Sequence, residues 1–142
     1  MEQSNTEKSF QEQIYDIMEV FQQSKNNPQN IETLIECVED LAIISTYLSA
    51  EYNKQSIDYA DNRSMYYFNV GQRKAEVMKL DKINNKKVTS AYADTIADQE
   101  NKEYKKAYIR AEGIRDGLKQ MLYQISQNIS IIKDRIMFLK SN

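Results

Sequence analysis

The sequence predicts an all-α protein: an elongated helical bundle or hairpin of three main helices with coiled-coil-like seams, completed by association with further copies. Three observations predict it. Apolar residues recur in alternating steps of four and three along much of the chain, the pattern of a single helical face. The 142 residues include only 3 Gly, 1 Pro and no Trp, so turn formers are scarce. A hydrophobic content of 41% and a mean hydropathy of −0.72 suit helices that carry an apolar stripe on an otherwise wet surface.

The chain is expected to form one all-helical domain over 1–142. An N-terminal helical segment falls within 1–28, its apolar face marked from about residue 6 to 24 by Phe10, Ile14, Ile17 and Phe21. Pro28 and its neighbouring asparagines end it. A long second helix is expected over 30–80, with Asn30 as its N-cap. Its seam runs through Leu34, Val38, Leu41, Ser45, Leu48, Tyr52, Gln55, Tyr59, Asn62 and Tyr66, and Gly71 is a plausible break or kink.

A basic, Asn-rich linker follows over 81–89. The third helix is expected over 90–140, capped by Thr89 or Ser90. Its rhythm is Ala107, Ala111, Ile114, Leu118, Met121, Ile125, Asn128, Ile132, Arg135 and Leu139. A second row at sevens adds Leu122, Ile129 and Ile136. Two apolar strips on one helix imply packing between neighbours. Ile114, Leu118, Met121, Leu122, Ile125, Ile129, Ile132, Ile136 and Leu139 are therefore the candidate oligomerisation residues. Asn128 and Arg135 on the seam read either as register devices or as rim positions. Gly113 and Gly117, four apart, read either as a close backbone approach or as a local bend.

Charge is divided by position. Residues 1–70 hold four Lys or Arg against twelve Asp or Glu, a balance of −8; residues 71–142 hold fifteen against nine, a balance of +6. The formal total of −2 hides this dipole. Histidine is absent and Cys37 is the lone cysteine, so the commonest general base is missing and no intramolecular disulfide can form. Among Leu34, Ile35, Val38 and Leu41, Cys37 reads as a small buried hydrophobe. No Gly-rich phosphate loop is present, and metal sites of nitrogen and sulfur ligands lack the residues. The expectation is a protein without catalytic residues, metal or cofactor, with no signal segment and no membrane contact, in the cytoplasm.

Binding chemistry is better supplied. Arg63, Arg73 and Lys74 surround Tyr66 and Tyr67, and Lys79, Lys82, Lys86 and Lys87 carry the positive charge onward. Cations that track a phosphate backbone, with aromatic faces between them for bases, are what a single-strand binder needs. These nine residues are the candidate nucleic-acid-binding set.

The C-terminal third carries a further signal. The run from Tyr108 to Lys133, with its polar interruption Ile125-Ser126-Gln127-Asn128 followed by Ile131-Ile132-Lys133, resembles the terminal helix of the UvsY-type recombination mediators of tailed phages. Upstream, Tyr66-Tyr67-Phe68-Asn69-Val70-Gly71-Gln72-Arg73 is similar to that family's aromatic–glycine–basic segment. The resemblance covers roughly residues 60–140. Asp58 and Asp61 stand where the family pattern carries basic charge, which Arg63 alone represents here.

The resemblance implies a homo-oligomeric helical protein that binds single-stranded DNA and helps a recombinase displace a single-strand-binding protein. The expected function is thus a non-enzymatic accessory to phage recombination or replication. Two alternatives remain open on the residues: a structural coiled-coil assembly protein, and a small phage inhibitor of a host defence enzyme. The inhibitor would act through its acidic N-terminal half.

Overall fold

A computed structural model describes residues 8–84 and 89–141, giving the backbone but not the side chains of 81–84. All regular structure among them is helical: α1 (Phe10–Ser24), a 3-10 turn (Pro28–Asn30), α2 (Ile31–Asn84), α3 (Ser90–Glu100) and α4 (Lys102–Ser141). The all-α expectation holds. No described helix is long and apolar enough to cross a membrane.

Several boundaries differ from the sequence expectation, each for a local reason. α1 starts at Phe10 because Ser9 and Glu12 form a capping box, each side chain accepting the other's backbone N–H at 3.2 Å. Asn30 does not cap α2. It ends the 3-10 turn, and Asn27 is the cap, its side chain accepting from Gln29 N at 3.0 Å. α2 passes through Gly71 without a break and continues to Asn84, so the first part of the expected linker is helix. Residues 85–88, with Lys86 and Lys87, lie outside the described residues.

The helix expected over 90–140 is two helices. Thr89 caps α3, accepting from Tyr92 N at 3.2 Å. Asn101 interrupts the run with φ −106° and ψ 18°. Its side-chain amide donates to the Ala97 carbonyl at 2.9 Å, competing for a helical acceptor. Its own carbonyl accepts from Lys105 N and so starts the next helix.

Neither Gly113 nor Gly117 accommodates a close approach. A Cβ built at either meets nothing within 4 Å. Both sit in the interior of α4, where glycine costs about 1 kcal/mol relative to alanine. Gly117→Ala is therefore expected to stabilise the chain by about 0.5–1 kcal/mol in urea denaturation.

The chain divides into two compact units. One comprises residues 1–51 with 118–142, the other residues 52–117. In the first unit, α1 packs with the beginning of α2 and the end of α4. Leu34, Leu41, Leu48, Ile125 and Ile132 are fully buried, with Ile14, Phe21, Cys37, Ile44, Ile136 and Leu139 around them. Each large aliphatic side chain removed from water contributes about 1.5–3 kcal/mol. The four-three rhythm of α2 faces inward here as expected.

Arg135 settles one open reading: it lies at the rim and closes the end of α1. Its Nε donates to the Lys25 carbonyl at 2.5 Å, and Nη2 donates to Asn26 Oδ1 at 2.8 Å. The guanidinium also lies 4.7 Å from the Phe138 ring centroid. A cation placed on the last carbonyls of a helix meets both the orphan acceptors and the negative end of the dipole.

The second unit has a different interior. Its buried side chains are Tyr66, Val77, Ala93, Ala97, Asn101 and Ala111, mostly small residues that let helices approach closely. Aromatic contact and ion pairing take the place of a broad aliphatic core.

Candidate nucleic-acid interface

The 59–67 stretch of α2 and the 108–115 stretch of α4, both in the second unit, build a tyrosine cluster. Tyr66 is its buried centre, with ring centroids 5.1 Å from Tyr67 and 5.2 Å from Tyr108. Tyr67 stacks near Tyr108 at 6.3 Å and 28°, and Tyr59 meets Tyr108 edge-on at 6.3 Å. Two arginines cover the outer rings: Arg63 lies 5.3 Å from the Tyr67 centroid and Arg115 lies 4.2 Å from that of Tyr59.

An open groove runs along Tyr59, Ala60, Arg63, Ser64 and Tyr67. Tyr67 is 53% exposed there. The helical rotation of about 100° per residue puts Asp58 and Asp61 about 140° and 160° away from Arg63 around α2, so neither carboxylate shares the groove face. On the α4 side, Arg115 also contacts Asp116 at 3.2 Å, and Glu112 is half-buried on the same face.

The remaining cations of the candidate set are placed differently. Arg73 grips Glu100 through two bonds, Nε at 2.5 Å and Nη2 at 3.1 Å, and reaches Glu76 at 3.1 Å. These carboxylates hold its guanidinium still more firmly protonated than usual, Glu100 first. Lys74 pairs with Asp94 at 2.8 Å. Tyr66 Oη donates a very short hydrogen bond to Asp98, which also receives Lys105 Nζ at 3.3 Å.

α3 is thus fastened to α2 and α4 by its own acids, Asp94, Asp98 and Glu100. The bond to Asp98, assisted by burial, pushes the Tyr66 phenol up to about 12, and the same bond holds the Asp98 carboxyl below its ordinary range. Lys79 is exposed near the end of α2. The side chain of Lys82 is outside the described residues, as are Lys86 and Lys87.

Of the nine candidate residues, Arg63 and Tyr67 therefore meet at the groove. Tyr66 supports them from beneath, and Arg73 and Lys74 serve α3. Sequence reasoning did not select Tyr59, Tyr108 and Arg115 for this site. The i, i+4, i+8 spacing of Tyr59, Arg63 and Tyr67 was the available signal.

The candidate oligomerisation residues also divide. Leu118, Ile125, Ile132, Ile136 and Leu139 are buried within the single chain, Met121, Leu122 and Ile129 are half-buried, and Ile114 is exposed. Among the described residues, no group of three potential metal-ligating side chains lies close enough to hold an ion.

The fold and this surface define an all-α protein whose most distinctive site is an arginine-capped aromatic groove. No protein-family model matches the chain, no curated protein matches it, and no solved structure matches it.

Proposed function

We infer that the chain is a non-enzymatic accessory protein of phage recombination or replication that binds single-stranded DNA and assists recombinase loading as a homo-oligomer. The observation that carries the binding reading is the half-exposed Tyr67 ring with Arg63 on its face, beside an open groove from which Asp58 and Asp61 are turned away. A base can stack on an aromatic face for about 1–3 kcal/mol, and an adjacent guanidinium can meet the phosphate. The resemblance of the 66–73 segment to UvsY-type mediators supports the same ligand. A recombinase and a single-strand-binding protein are the protein partners in this reading, and the host cytoplasm is its setting.

Arg73 and Lys74 play a smaller part. A phosphate reaching them has to displace Glu100 and Asp94 from existing ion pairs. The binding surface is centred on residues 59–67, with Lys79 as the exposed cation farther along α2.

Fluorescence anisotropy with a labelled oligothymidylate at low salt tests the reading. Arg63→Glu combined with Tyr67→Ala is expected to weaken binding by about tenfold or more, the loss of roughly one stacked base and one phosphate contact. The slope of log affinity against log salt should become shallower by about one. Arg73→Ala should change affinity less than the groove substitutions do. Equal affinity of the wild type and the groove variant, or no wild-type binding at low salt, would reject the proposal.

A further inference from the structure

The groove face of α2 does not end at Tyr67. At about 100° per residue, Lys74 lies within about 20° of both Arg63 and Tyr67 around the helix, and eleven residues at 1.5 Å put it roughly 16 Å beyond Arg63. Val70 and Gly71, which flank the face between Tyr67 and Lys74, carry no charge. Lys74 is therefore the next cation that a strand lying along this face would meet, and its Nζ is already held by Asp94 of α3 at 2.8 Å. Arg73, one residue earlier, is held by Glu100 from the other end of α3.

The attachment of α3 is slight. It has 11 residues, a length at which a helix is marginal on its own in water. Its buried side chains are Ala93 and Ala97, with Ile96 half-buried, so little apolar surface anchors it. Its other attachments are polar: Asp94 to Lys74, Glu100 to Arg73, and Asp98 to Tyr66 and Lys105. Asp94 keeps 55% of its side-chain surface in water and Glu100 keeps 47%. Ion pairs this open are weak and exchange readily with other anions.

We propose that α3 is a self-inhibitory strap on the nucleic-acid groove. Its carboxylates occupy Lys74 and Arg73, and a single strand entering over Arg63 and Tyr67 replaces them with its own phosphates and releases α3. The binding face is short in the free protein and longer in the bound one. A strand too short to reach Lys74 meets only the Arg63 end, whereas one that spans both cations offsets the loss of α3. The inference rests on the groove reading and adds the regulation of that site.

Anisotropy titrations with oligothymidylate and amide exchange followed by mass spectrometry test it on the full chain. Asp94→Asn with Glu100→Gln is expected to tighten binding by about threefold or more, and to steepen the salt slope by about 0.7 for each cation set free. Asp58→Asn with Asp61→Asn makes the same change in net charge on the side turned away from the groove, and should gain less. Lys74→Ala should matter little in the wild type, where removing a phosphate contact also removes a latch. In the neutralised background it should abolish the gain. Saturating oligothymidylate should speed exchange of the α3 amides in the wild type by about tenfold or more, while those of residues 59–67 are slowed or unchanged. The exchange measurement needs no substitution, so it stands whatever the variants do to folding.

No binding by either the wild type or the neutralised variant removes the groove, and the strap with it. Wild-type binding that the neutralised variant merely equals overturns the strap alone, as does an equal gain in the Asp58 and Asp61 control. Exchange of α3 that stays the same or slows when the strand is bound also overturns the strap and leaves the groove standing.

Discussion

Leu41→Ala is expected to lower the free energy of unfolding by about 3 kcal/mol, within the roughly 2–5 kcal/mol range for truncating a fully buried leucine. Leu41 is fully buried, as are Leu34 and Leu48 on the same side of α2 and Ile125 and Ile132 on α4. Removing its branched end forfeits the transfer energy of the lost carbons. It also leaves a hole that a helix fixed at several other fully buried positions cannot collapse to fill. Urea denaturation followed by circular dichroism reads the loss. The exposed Ser49→Ala on the same helix is the control, expected to stay within about 0.5 kcal/mol of wild type. Equal stability of Leu41→Ala and wild type would mean that the first unit is not built around this face of α2.

The second large effect is centred on Tyr66, the main aromatic group inside the other unit. Tyr66→Ala empties the middle of the ring cluster and is expected to cost about 3–5 kcal/mol, as for other buried aromatics. Tyr66→Phe keeps the ring and removes only the donor to Asp98. Lys105 still contacts that carboxylate at 3.3 Å, so the expected loss is smaller, about 1–2 kcal/mol.

The two variants also separate packing from protonation. Folding raises the Tyr66 phenol from 10.0 to about 12, because the protonated form donates to Asp98 and is shielded from water. The resulting stabilisation is complete below pH 10, and it disappears as the pH climbs through 12. Asp98 behaves in the opposite sense, its contribution present above its ordinary pKa of 3.8 and lost as pH falls through the lowered value. Stability measured on both sides of pH 10 should therefore fall more steeply with alkali in the wild type than in Tyr66→Phe. Parallel profiles would remove the phenol–carboxylate bond from the account of how α3 is held.

Much of this architecture is visible in the residues before any coordinates are known. The four-three rhythm of α2 from Leu34 to Tyr66 marks positions that are all buried or half-buried, because a period near 3.5 leaves one side of a helix consistently apolar. Thr89 was one of two caps the sequence offered for the third helix, and the structure selects it over Ser90. Ser9 and Glu12 carry the three-residue spacing of a capping box that starts α1 at Phe10, a signal the sequence reading passed over when it placed the apolar face from about residue 6.

Other features depend on partners distant in sequence. Leu118, Ile125, Ile132, Ile136 and Leu139 of α4 are buried within one chain because α1 and α2 share the first unit with it, which periodicity along one helix cannot reveal. Arg73 and Lys74 resembled free cations, since their counter-ions Glu100 and Asp94 lie twenty or more residues away in sequence. Arg135 was ambiguous for the same reason, its acceptors being 109 and 110 residues distant. The break at Asn101 rests on one amide competing for a carbonyl, too small an imbalance to read from a run that otherwise favours helix.

The buried thiol of Cys37 has a practical consequence. The residue is 4% exposed, its sulfur lies 3.8 Å from the Ile17 carbonyl of α1, and burial, followed by the nearby Asp40 and Glu36, pushes its pKa up. A protonated, covered sulfur reacts slowly with alkylating or disulfide reagents. Separation of α1 from α2 exposes it. With no other cysteine to confuse the signal, the rate of labelling becomes a clock for the breathing of this helix pair, readable on the unaltered polypeptide.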